Sequence, residues 1–464
     1  MASATSCSHI RERKDLSQAT LELIFQSFYN NPNLKVEKLN NEYEDGIGGH
    51  YASDISKLSV EIQGQDHRVS LIIKVPLQSW FQKLISKTKK QFMREAFWYM
   101  QCVPSLRKTY PEIQDFGPKC FHATSTYDDN FRYFNYQHFM VIYLIDTIIF
   151  RSSWAAKRGP LCMMLAEKAD NGILIMEDLK DPQRADGPLK EIGKNAICPI
   201  HIAKLVMTKL ATFHGVWLSW MENQDPPMIA GLNKEQVMEM LGHYVFKKPD
   251  AIHWNGIFKG LEKQLTILKR PQELIQALLS YQKNGFYENL VSCLPKNSIY
   301  VTLIHGDVWI NNFFVNEDET EVTFVDFGQF QTSHPARDFW YFLYISTDSE
   351  WRKSHLETCL ETYFKTFSKY FNQANIVMTY DDFKKEFNSK RGLGVSSAFL
   401  FIPAFLNDNS ELNMSDFKSF RKILKWIKET LSKPLDEEDA ENIKEINRRM
   451  LDLIEESYEL GLLK

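Results

Sequence analysis

The sequence predicts an α+β chain of two lobes, a small β-rich one followed by a larger, mainly helical one, on three observations. Alternating and β-branched apolar runs gather before residue 180, at 58–62, 69–76 and 173–176. From residue 201 onward apolar side chains recur every three and four residues. Between the helical stretches, two short apolar runs at 300–304 and 321–325 each end on an acid, in His305-Gly306-Asp307 and Asp326-Phe327-Gly328, with a turn through 316–319 between them. The lobes are expected over 41–180 and 181–464, preceded by a helical extension over 1–40.

The segment 305–328 carries the side chains that phosphoryl transfer requires, in the required order. That reaction depends on positioning and charge neutralisation rather than on covalent chemistry by the protein. Asp307 is suited to accept the proton of an attacking hydroxyl, Asn312 to reach Mg²⁺, and Asp326 to bridge Mg²⁺ to the β- and γ-phosphates of ATP. Taken singly, His-Gly-Asp is also a plain turn and Asp-Phe-Gly a plain strand end. A protein kinase would carry His-Arg-Asp at the first site and Ala-Pro-Glu after the second. Here Gly306 replaces the arginine and no Ala-Pro-Glu follows.

A nucleotide-holding lobe upstream should then supply a glycine turn, a strand lysine and a helix glutamate. Gly46, Gly48 and Gly49 lie in Asp45-Gly46-Ile47-Gly48-Gly49-His50, ahead of the strand at 58–62, and would let backbone N–H groups approach phosphate oxygens. In the next run Val69, Leu71, Ile73 and Val75 share one face and leave Lys74 on the other, as the choice for the α/β-phosphates. A helix over 87–101 places Phe92, Glu95, Ala96 and Tyr99 on one stripe. A carboxylate on an apolar stripe wants a cation, and Glu95 is assigned to Lys74. The run 139–149 reads as a further strand. The strand 173–176 runs into a proline-stopped turn.

In the second lobe, 201–218 is apolar on most faces and reads as a buried helix, with His214 a satisfied core or lining histidine. Helical spacing continues over 233–292, broken at Lys247-Lys248-Pro249. Asp338 opens a helix whose aromatic run Phe339-Trp340-Tyr341-Phe342 either joins the core or lines an apolar acceptor site. Two amphipathic helices follow, marked by Ile427 and Leu431 in one and by Ile446, Met450 and Leu453 in the other.

Composition narrows the class. The 464 residues are 44% hydrophobic and 13% aromatic, ample for a sizeable core. A net charge of −4 without long like-charge blocks gives no footprint for nucleic acid. No run reaches the ~18 apolar residues of a membrane span, and the N-terminus lacks a signal-peptide core. Seven scattered cysteines without Cys-x-x-Cys spacing point to reduced thiols and a cytoplasmic location. The only metal the sequence supports is Mg²⁺ on Asn312 and Asp326.

His305-Gly306-Asp307-Val308-Trp309-Ile310-Asn311-Asn312 resembles the signature of the ecdysteroid kinase-like family, which shares its fold with choline kinases and aminoglycoside phosphotransferases. The Phe92-x-x-Glu95-x-x-x-Tyr99 pattern is similar too. Two positions depart from the family pattern: Asp326-Phe327-Gly328 stands where Asp-Phe-Gln is common, and His50 where asparagine is usual. The resemblance implies a bilobal protein-kinase-like fold and an ATP- and Mg²⁺-dependent enzyme phosphorylating a hydroxyl of a small, lipophilic alcohol such as an ecdysteroid. It also implies that Met176, Glu177 and Leu179 form the hinge that holds adenine, and that Asp338 anchors the catalytic loop, although an ordinary helix-start aspartate fits the same residue. A choline or ethanolamine kinase, or an inactive ATP-binding scaffold, are the competing readings.

Overall fold

The computed structural model describes residues 10, 12–45, 53–64, 68–76, 91–125, 172–223, 225–242, 252–294, 300–371, 376–406, 417–432 and 440–463. The glycine turn at 46–49, the proposed strand at 139–149 and the break at 247–249 lie outside the described residues. The principal elements in chain order are α1 (Gln18–Tyr29), β1 (Val36–Asp45), β2 (Ser53–Ile62), β3 (Arg68–Pro76), α2 (Gln91–Phe97), β4 (Cys120–Ser125), β5 (Gly172–Glu177), α3 (Ile200–Glu222), α4 (Ile252–Ile267), α5 (Gln272–Asn284), β6 (Thr302–Ile304), β7 (Phe313–Val315), β8 (Val322–Phe324), β9 (Gln331–Ser333), α6 (Ala336–Ser346), α7 (Ser349–Phe367), α8 (Tyr380–Ser389), α9 (Arg391–Phe405), α10 (Phe417–Thr430) and α11 (Glu441–Glu459). The fold class is α+β, and the chain divides into two compact units.

The first unit comprises Met1–Lys190, Met228–Leu232 and Phe314–Gln329. Its centre is a five-stranded sheet in the order β1-β2-β3-β5-β4, antiparallel throughout. Period-two alternation sends Leu58, Val60 and Ile62 of β2, Leu71, Ile73 and Val75 of β3, and Ile173 and Ile175 of β5 into one core, where they meet Leu21, Ile24 and Phe25 of α1. Ser17 caps α1 by accepting the Thr20 N–H, and Asn30 ends it in the left-handed conformation. Gly172 is required where β5 passes β4: a Cβ there would stand 2.2 Å from the Thr124 carbonyl oxygen and 2.7 Å from the Phe92 ring.

The helix expected over 87–101 is described from Gln91. It runs as α2 to Phe97 and then widens into a π turn over Trp98–Cys102. The wider turn lays Trp98 flat on Phe327, ring centroids 4.5 Å apart, with Tyr99 edge-on to the same ring at 5.8 Å. Phe327 reaches this unit through the β7–β8 hairpin, whose turn is stitched by Asn316 Oδ1 accepting the N–H groups of Thr320 and Glu321. The turn at 316–319 is as expected, but it joins β8 to β7; β6, the strand before Asp307, pairs instead with β9.

The second unit comprises Glu191–Pro227, Asn233–Phe313 and Phe330–Lys464. Its helices α3, α6 and α9 are buried on most faces, as the all-round apolar sequence of 201–218 requires. Glycines allow close helix approach: a Cβ on Gly215 would enter the Tyr370 ring at 2.1 Å, and one on Gly394 the Tyr344 ring at 2.4 Å. α11 is held by buried charge. Glu456 accepts from the guanidinium groups of both Arg352 on α7 and Arg391 on α9, while Arg449 donates to the carbonyls of Ile345, Asn195 and Ala196.

Candidate active site

In the first unit, β3 and α2 bring two opposite charges out of water together. Lys74 pairs with Leu174 of β5 and Ile55 of β2 in the sheet, and its Nζ lies 2.6 Å from Glu95 Oε2 and 3.2 Å from Asp326 Oδ1. Lys74 and Glu95 are 5% and 2% exposed, so each depends on the other for charge compensation. Burial disfavours the lysine's charge, but Asp326 and Glu95 outweigh it and raise its pKa. Burial pushes the Glu95 carboxyl up to about 7; Lys74 opposes the rise and Asp326 adds to it. Asp326 itself sits at φ +63°, a left-handed conformation uncommon outside glycine. The turn at Asp326 is followed by a short 3-10 turn, Phe327–Gln329.

The segment expected to form the hinge follows β5 in the same unit. Met176 is buried in the sheet opposite Ile72 and Cys120, and Glu177 pairs with the Arg184 guanidinium at 2.9 Å. Leu179 is buried, and its carbonyl accepts from the Leu189 N–H at 2.7 Å. Two aspartates fasten this turn to the sheet. Asp178 accepts from the Ser70 hydroxyl and from Lys57, and Asp181 accepts the Ser70 N–H. The stretch after Glu177 thus keeps one course without secondary structure of its own.

In the second unit, the loop after β6 presents Asp307 and Asn312. Gly306, at φ +86°, makes the bend that turns the chain from the strand into the loop. The Asn312 side-chain amide donates to the Asp307 carbonyl at 2.8 Å and to Asp307 Oδ2 at 3.1 Å. With both acceptors on the Asp307 side, the NH₂ group must face Asp307, which directs the Asn312 carbonyl oxygen the other way. That oxygen is the one a hard cation would take.

Beneath the loop, α6 supplies the anchor. Asp338 is fully buried; its two carboxylate oxygens accept the N–H groups of His305 at 2.8 Å and Gly306 at 2.9 Å. The anchoring reading of Asp338 is therefore the correct one. Burial alone would raise the Asp338 pKa, but His214 and the backbone donors lower it. His214, fully buried, joins Asp338 Oδ2 at 3.1 Å to the Tyr363 hydroxyl at 2.6 Å and is the satisfied core histidine that its stripe predicts. Of the aromatic run, Phe339, Trp340 and Phe342 are core. Tyr341 differs: its hydroxyl donates to Asp307 Oδ1 at 2.7 Å. Sequence reasoning missed that contact, although a tyrosine three residues after Asp338 shares its helix face.

Among the described residues, no group of three or more His, Cys, Asp or Glu side chains is arranged to hold a metal ion, and no helix is long and apolar enough to cross a membrane. The five described cysteines are free thiols.

The class is that of a phosphotransferase of the small-molecule kinase type, with a hydroxyl as acceptor. Residues 47–376, well over half the chain, match the model of the ecdysteroid kinase-like family, and the chain belongs to that family. Solved structures similar to it include a microcompartment-associated aminopropanol kinase, at 11% identity and TM-score 0.39, covering 97% of this chain and 99% of that one. A choline kinase from Streptococcus pneumoniae matches at 10% identity and TM-score 0.36, over 94% of this chain and 99% of that one. An ethanolamine kinase from Plasmodium vivax matches at 12% identity and TM-score 0.37, over 91% and 90%. No curated protein matches the chain.

Proposed function

We propose that the enzyme transfers the γ-phosphate of ATP to a hydroxyl of a small lipophilic alcohol, with an ecdysteroid as the leading acceptor. The observation that carries the reading is Lys74 held between Glu95 and Asp326 in one unit, together with Asp307 and Asn312 on an anchored loop in the other. Lys74 neutralises the α/β-phosphates, and Glu95 fixes its position. Asp307 takes the acceptor's proton as the acceptor oxygen bonds to the γ-phosphorus; the bond from that phosphorus to the β,γ-bridging oxygen breaks and ADP leaves. Asn312 and Asp326 are the residues that would hold Mg²⁺, a fit supported by the outward Asn312 carbonyl and the paired but incompletely buried Asp326 carboxylate. Bound there, the ion would supply charge neutralisation on the phosphate oxygens. A pair of protein ligands suits a cation whose shell is completed by phosphate and water. Met176, Glu177 and Leu179 are proposed to hold the adenine, and the glycines at 46, 48 and 49 to approach the phosphates.

The lipophilic character of the acceptor is supported by an aromatic stack in the second unit. Trp309, two residues after Asp307, lies flat on Phe405 with centroids 4.2 Å apart; Phe405 stacks on Phe401 at 5.2 Å, and Phe401 meets Tyr341 edge-on at 5.6 Å. Such faces suit an apolar body, and also a quaternary ammonium, which keeps choline as the second reading. The test is transfer of labelled γ-phosphate from Mg-ATP to a panel of ecdysteroids, other sterols, choline and ethanolamine. Label on an ecdysteroid, lost in Asp307→Asn, is the expected result. Label on choline alone would replace the acceptor class, and label surviving in Asp307→Asn would remove Asp307 as the base.

A further inference from the structure

α6 touches three consecutive residues of the catalytic loop. Asp338, in its first turn, accepts the N–H groups of His305 and Gly306, and Tyr341, one turn further on the same face, donates its hydroxyl to the side chain of Asp307. The first two contacts fix the backbone; the third acts on the group that the functional reading makes the base. Asp307 Oδ2 takes the Asn312 amide at 3.1 Å, so the two carboxylate oxygens receive donors from different parts of the chain. Two donors on two oxygens define the plane of the carboxylate, whereas one leaves it to rotate about its own axis.

We propose that Tyr341 is a positioning residue for the transfer: its hydroxyl fixes the rotation of the Asp307 carboxylate and so aims the base at the acceptor hydroxyl. This rests on the assignment of Asp307 as the base. The tyrosine is suited to the task, because the residue is 6% exposed and its ring is edge-on to Phe401, so the hydroxyl has little freedom to move. Burial and the Asp307 charge raise its pKa well above the ordinary value, which keeps it a donor. The bond from a phenol to a carboxylate is of the stronger, charge-assisted kind.

The experiment has a crystallographic and a kinetic arm. Crystal structures of the wild-type protein and of Tyr341→Phe should show the Asp307 carboxylate in one orientation in the first and rotated or split in the second; an unchanged carboxylate in the variant overturns the proposal. With the acceptor that the panel identifies, Tyr341→Phe should lower kcat on the order of tenfold to a hundredfold, with KM for ATP and acceptor within about twofold. In an Asp307→Ala background the same change should have no further effect. A tyrosine with a merely structural role would reduce both backgrounds equally. If the wild-type protein labels no acceptor, the functional reading fails, and the two crystal structures alone decide whether Tyr341 orients Asp307.

Discussion

Glu95 and Asp326 share one lysine, so in the first cluster two carboxylates face the same buried cation. The consequence is a pH dependence with an unusual sign for a glutamate. Its folded-state carboxyl is pushed up to about 7 by burial, against an ordinary value of 4.5. Between these values the folded protein retains a proton that the unfolded chain has released, so stability falls as pH rises through the window and levels off above about 7. The melting temperature of the wild-type protein should therefore drop relative to that of Glu95→Gln between pH 4.5 and 7, and run parallel to it from 7.5 to 9. Thermal melts at constant ionic strength check this; a difference that does not vary across the lower window would mean that Glu95 is ionised throughout. Lys74, Glu95, Asp307, Asn312 and Asp326 were singled out in the sequence because their residue types and order are those phosphoryl transfer requires, and the structure brings Lys74 to Glu95 and Asp326, and Asn312 to Asp307. Tyr341 was not, because a tyrosine in an aromatic run has the composition of a core residue, and only the three-residue offset from Asp338 sets it apart.

Strong periodicity made the elements readable and short length hid them. β2, β3, β5, α3 and α11 were each visible as an alternating or three-and-four pattern, and their observed bounds extend the expected ones by a few residues. β7 and β9, three residues each, are too short to alternate, and the β6–β9 pairing is non-local, so the strand before Asp307 could not be matched to its partner in advance. The π turn after α2 was equally invisible: a single widened turn barely disturbs the helical spacing, yet it decides that Trp98 stacks on Phe327. The buried Glu456 of α11, shared by Arg352 and Arg391, gives a test of stability at this scale. Glu456→Ala leaves two guanidinium groups without their carboxylate and should cost about 3–5 kcal/mol, read as a lower midpoint in urea. A loss under about 0.5 kcal/mol, the level of an ordinary surface substitution, would show that the arginines find other partners.

In the proposed mechanism the assigned residues fall in both units, Lys74, Glu95 and Asp326 in one and Asp307 and Asn312 in the other. Nucleotide binding and proton transfer should then separate by mutation. A non-hydrolysable ATP analogue with Mg²⁺, at a hundred times its Kd, should stabilise the protein by about 2.7 kcal/mol. Thermal shifts of similar size are expected for the wild type and Asp307→Asn, and little or none for Lys74→Met. A shift retained in Lys74→Met would move the phosphate site elsewhere. The second unit also carries a timing constraint. Arg449 is bonded to the carbonyl of Asn195 across 254 positions of sequence. A ribosome adding about 5–20 residues per second needs roughly ten to fifty seconds to make that length of chain. For that interval the segment leading into α3 waits for the late helix that bonds to it, so the second unit cannot close around α11 until synthesis nears its end.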